Sequence, residues 1–215
     1  MDRNNIVCMS LELRSRPFEP GTLGWTADDL DDPDIERQWE AGAYEIVDGV
    51  LTTMPAAYFP SGAGLFELMV ILRQHFKEKQ IAGKFSMEVD LILRKDRVAR
   101  ADAVFLKSDD QRLQRAAARK AGRPDPERTR ILVPPTLIIE SISPGHEAHD
   151  ASTKRRWYAE AGVPHYWILN AFEKTLECLV LEEGAYRVDA AGRGQAKILP
   201  RAFPGLIIKL AELWS

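Results

Sequence analysis

The run Leu137-Ile-Ile-Glu-Ser-Ile142 is apolar at odd and even positions alike, yet it carries a glutamate in its middle. A strand that is apolar on both faces belongs in the interior of a sheet whose two sides are covered. That requirement constrains the fold more than any other stretch of the chain. Ser143-Pro144-Gly145 ends the run with turn residues.

The rest of the chain supplies matching parts. Ala43-Tyr-Glu-Ile-Val and Val50-Leu-Thr-Thr-Met54 flank Asp48-Gly49, a short hairpin signal because both turn residues tolerate positive φ. From Gly64 to Gln80, Leu65, Leu68, Met69, Leu72 and Phe76 recur at helical spacing, with Gly83 where a helix end would place one. Phe85, Met87, Val89, Leu91 and Leu93 alternate with Ser86, Glu88 and Asp90 as a long strand, and Ala103–Leu106 reads as a short one. Residues 109–123 and about 151–161 read as helices, the second closed by Gly162. His165–Leu169 is a strand, Leu176–Leu181 and Ala185–Val188 form a second hairpin across Glu183-Gly184, and Phe203–Leu210 adds a short strand. Thr26 is placed to cap a short helix in the acidic cluster Asp28, Asp29, Asp31, Asp32 and Asp34. Hairpins mixed with helix-crossed strands predict an α/β fold, a mixed central sheet with helices on its faces. Residues 1–24 read as an N-terminal arm and 25–215 as one domain.

A hydrophobic share of 45% and a charged share of 28% exclude a disordered, collagen-like or coiled-coil chain, and a net charge of −3 excludes a general polycation. Cys8 and Cys178 form no short-spaced pair, so neither a thiolate zinc site nor a disulfide framework is expected. No apolar run approaches the roughly 18 residues of a membrane span, and no signal peptide is visible, so the expected setting is cytoplasmic.

The buried position of Glu140 demands compensation, either by a salt bridge or by a divalent cation. Asp102, at the start of the apolar strand one step earlier, could be a turn aspartate. Together with Glu140 it would offer two hard oxygen donors on neighbouring strands, which suits magnesium or manganese. Lys154, Trp157, Tyr158 and Ala161 share one helix face, so Lys154 either snorkels at the core edge or serves the site. Glu45 beside the first turn is a further acid. His146, His149 and Asp150 lack a zinc-site pattern, and Arg112, Arg115, Arg119, Lys120 and Arg123 form a basic stripe best explained as a solvated face.

These residues carry a resemblance. Tyr44–Leu51, Arg100–Leu106, Leu137–Pro144, Lys154 and Tyr158–Leu169 together resemble the PD-(D/E)XK nuclease superfamily and, within it, the Uma-two family, over about residues 25–213. The resemblance implies a restriction-endonuclease-like fold acting as a magnesium-dependent DNA endonuclease. Asp102, Glu140 and the Ser141 carbonyl would be metal ligands, Lys154 catalytic and Glu45 auxiliary. A homodimer is implied by analogy. Ala101 stands where the family usually has proline, and Ala56-Ala-Tyr-Phe-Pro-Ser-Gly62 lacks the family's usual histidine. The alternative is an inactive nuclease-fold protein that binds nucleic acid or a protein. Glu140→Gln is expected to leave the fold intact or to stabilise the metal-free protein.

Overall fold

The computed structural model describes residues 16–54, 59–122, 130–142 and 149–214. Cys8, Arg123, Ala56–Tyr58, Ser143–His146 and the side chains of His149 and Asp150 lie outside them. The chain is a mixed α/β protein whose sheet is mostly antiparallel, with helices packed on it. It divides into two compact units, one of residues 1–56 and 92–100, the other of 57–91 and 101–215.

In the first unit, β1 (Tyr44–Val47) and β2 (Val50–Thr53) form the expected hairpin. Asp48 (φ +48°) and Gly49 (φ +82°) take the left-handed conformations of its two-residue turn. Residues 21–23 run along β2, with Gly21 N donating to Leu51 O and Leu51 N to Thr22 O. Helix α1 (Pro33–Glu40) is capped by Asp32, whose Oδ1 accepts from Asp34 N and Ile35 N, with proline at the first helical position. Thr26 is not the cap. Its amide and hydroxyl instead donate to Asp29 Oδ2, which also receives Arg16 at 3.3 Å. The acidic cluster is thus partly consumed in local structure. Trp25, Leu30, Trp39, Ile46, Leu51 and Val98 form this unit's core.

The second unit is built on strands. Here β3 (Gly83–Arg94) and β4 (Arg97–Lys107) pair as a hairpin, their turn-proximal ends belonging to the first unit. β5 (Leu137–Ser141) lies antiparallel to β4 and parallel to β6 (His165–Asn170). β7 (Thr175–Glu182) and β8 (Ala185–Arg193) continue it antiparallel. Three helices accompany them: α2 (Phe59–Glu78), α3 (Ser108–Lys120) and α4 (His149–Glu160), the last crossing between β5 and β6. A small pair, β9 (Lys197–Ile198) and β10 (Ile208–Lys209), closes the chain, so the expected terminal strand is only two residues long.

The two faces of these strands differ. Odd-numbered Leu137, Ile139, Trp167 and Leu169 pack against Leu65, Leu68, Leu72 and Phe76 of α2. Even-numbered Ile138, Glu140 and Tyr166 face α4, where Tyr158 meets the Tyr166 ring edge-on at 5.2 Å. Gly83 is not a helix end. The turn after α2 uses Gln80 (φ +56°), with Ile81 N donating to Phe76 O. Gly83 opens β3 instead, where a Cβ would stand 2.3 Å from Phe105 Cζ and 2.5 Å from Leu106 O. The alternation expected of β3 breaks at Glu88 (φ +47°), which leaves Met87 exposed.

Candidate functional site

β4 extends well before the apolar stretch from which it was expected, so Asp102 lies mid-strand rather than at its start. The charged residues that disguised the extension are paired: Arg97 donates to Asp48 Oδ1 at 2.6 Å, and Arg100 to Gly42 O at 3.0 Å. A charged side chain whose donors are satisfied can sit in a strand that a bare one would terminate.

In the second unit, Ala103 lies opposite Ile139. One further step in that register sets Asp102 opposite Glu140. Opposed residues of an antiparallel pair project from the same face, with Cβ atoms about 4.5–5.5 Å apart. The Ser141 amide donates to Asp102 Oδ2 at 2.6 Å, which ties the aspartate to the end of β5. The Ser141 hydroxyl turns to the other face and donates to Ser61 O of α2 at 3.2 Å.

Glu140 is buried, and so is its countercharge. Lys154 Nζ stands 3.4 Å from both carboxylate oxygens. The two residues are 6% and 5% exposed, so Lys154 does not snorkel to water. Tyr158, one turn further along α4, donates its hydroxyl to Glu140 Oε1 at 2.5 Å. The Tyr166 hydroxyl is pushed well above its ordinary pKa, first by burial and then by the Glu140 charge, while Lys154 opposes the shift. One face of β4, β5 and α4 thus gathers Asp102, Glu140, Lys154 and Tyr158.

The hydroxyl of Tyr158 escaped the sequence reading, which counted this side chain only as apolar packing. The available signal was its place four residues after Lys154, on the same helix face, and the need of a buried phenol for a partner. Glu45 belongs to the first unit. It is buried there, and its Oε1 accepts from Arg100 N at 3.0 Å. Arg112, Arg115, Arg119 and Lys120 line an exposed face of α3, with Arg112 paired to Asp109.

Among the described residues no three His, Cys, Asp or Glu side chains cluster as a metal site. Asp102, Glu140 and the Ser141 carbonyl nonetheless fit magnesium by type. They are hard oxygen donors, and that ion commonly uses one or two carboxylates with water and substrate oxygens completing its shell. Zinc would prefer nitrogen or sulfur donors.

A family model described as "Uma2: Putative restriction endonuclease" matches residues 33–211. A crystal structure from Anabaena variabilis, described as "a putative nuclease belonging to DUF820", superposes with a TM-score of 0.60 at 16% identity. The match covers 81% of this chain and 90% of that one. No curated protein matches the sequence. No helix among the described residues is long and apolar enough to cross a membrane.

Proposed function

The chain belongs to the Uma2 family of restriction-endonuclease-like proteins, and on that footing we propose that it is a magnesium-dependent endonuclease hydrolysing DNA phosphodiester bonds. The observation that carries this reading is the cross-strand placement of Asp102 opposite Glu140, with Lys154 on the same face. Asp102, Glu140 and the Ser141 carbonyl hold the ion. When bound, magnesium or manganese lowers the pKa of water and offsets negative charge on the reacting phosphate. Asp102 is oriented by the Ser141 amide, and Glu140 faces the Lys154 ammonium of α4. Lys154 supplies a positive charge where negative charge develops, held in place by the packing of Trp157 and Tyr158 on its own helix. Glu45 keeps the auxiliary role that the family resemblance implies, and a homodimer is the proposed assembly.

Plasmid cleavage in a magnesium and manganese titration tests the reading. Wild type should nick or linearise DNA only with metal, and Asp102→Asn should abolish cleavage while remaining folded. A second reading is favoured by the Glu140–Lys154 contact, which already neutralises the buried acid. In that case the protein binds nucleic acid or a protein partner without cutting. Folded wild type that retards DNA but cleaves neither DNA nor small phosphodiesters with either metal would establish it. Light scattering at working concentration tests the homodimer, with a monomeric mass as the contrary result.

A further inference from the structure

Beside the residues already given roles, the centre holds a further donor to Glu140. The Tyr158 hydroxyl reaches Glu140 Oε1 at 2.5 Å, whereas Lys154 Nζ stays at 3.4 Å from both oxygens. An O–H donor to a carboxylate is strong at about 2.5–2.7 Å, and an ammonium donor at about 2.7–2.9 Å. The phenol therefore makes the tighter of these contacts. Its own ring has little freedom, since Tyr158 is fully buried and lies edge-on to Tyr166, whose strand position is level with Ile138. Asp102 is held in a comparable way by the Ser141 amide at 2.6 Å. Each of the two carboxylates thus accepts a short hydrogen bond from a donor that the fold fixes.

We propose that Tyr158 is a positioning residue for Glu140, holding its carboxylate in the orientation used to bind a divalent cation. This rests on the reading that Asp102 and Glu140 bind magnesium. A carboxylate oriented before the ion arrives loses less side-chain freedom on binding, so affinity rises without an added ligand. Lys154 alone cannot supply that orientation, because a flexible ammonium imposes charge but little direction.

The test is direct manganese binding by calorimetry to folded, metal-free protein, alongside plasmid cleavage. Tyr158→Phe keeps the ring and deletes the donor. Its manganese Kd should rise at least about tenfold. The double variant Tyr158→Phe/Glu140→Gln should bind no more weakly than Glu140→Gln alone, because the hydroxyl acts through that carboxylate. Wild-type affinity in folded Tyr158→Phe, or additive losses in the double variant, would overturn the inference and leave the magnesium reading standing. A wild type that binds no manganese defeats both. Should Tyr158→Phe not fold, 3-fluorotyrosine at position 158 in the otherwise unchanged chain gives the same decision. Its fluorine resonance should shift on magnesium addition with the Kd that calorimetry gives for magnesium, and an unmoved resonance at saturation counts against Tyr158.

Discussion

Removing the charge of Glu140 takes a countercharge from Lys154, because both are buried and they face each other at 3.4 Å. An ion pair broken from one side typically costs about 3–5 kcal/mol, chiefly through the buried charge left behind. Glu140→Gln should therefore destabilise the metal-free protein. The loss should fall toward the lower end of that range, since Tyr158 can still donate to the amide oxygen. Urea unfolding checks this, and Glu140→Gln/Lys154→Met should recover part of it by removing the ammonium that faced the carboxylate. The sequence alone suggested the opposite sign, because a lone glutamate in an apolar strand reads as a liability and its partners are 14 and 18 residues away. Lys154→Met should keep or raise metal affinity, as a nearby positive charge disappears, while cleavage per folded molecule falls at least about 100-fold. Normal cleavage by that variant would remove Lys154 from the mechanism. The acids and the lysine were legible as types in unusual places. The phenol was not, since a buried tyrosine serves packing and hydrogen bonding with the same letter.

Among the elements, both two-residue hairpin turns were readable, because Asp48-Gly49 and Glu183-Gly184 meet a backbone demand for positive φ that few residue pairs satisfy. The extent of β4 was not, since the neutralisation of Arg97 by Asp48 spans 49 positions. Gly83 shows a similar ambiguity: glycine marks helix ends and close approaches alike. Gly83→Ala should destabilise by about 1–3 kcal/mol through overpacking, because Leu106 O is backbone and cannot rotate aside. A midpoint in urea equal to wild type would contradict that close approach. Asp32→Ala should cost about 1 kcal/mol by leaving the first amides of α1 without their acceptor. Asp32→Asn, which keeps a side-chain oxygen to accept from those amides, serves as the control.

At the scale of the molecule, acid sensitivity should exceed what carboxylates alone produce. His165 is held neutral, its pKa lowered to about 4 by burial and then by Lys107, with Asp189 opposing. His75 is shifted the same way, first by burial. The unfolded chain binds a proton at His165 near pH 6.5 and the folded chain only near pH 4, so stability is lost as pH falls through that window. Urea midpoints measured from pH 7.5 to 4.5 should decline less steeply for His165→Phe, which keeps a ring against Phe203. Equal slopes would show that His165 does not contribute. The distances along the chain have another effect. Asp102 is fixed by an amide 39 residues later, and Glu140 by a hydroxyl 18 residues later. β5 also waits for β6 as its parallel neighbour. A nascent chain that ends before residue 149 carries both acids but neither Lys154 nor Tyr158. Under the proposed nuclease function, the site is thus incomplete until α4 has been synthesised.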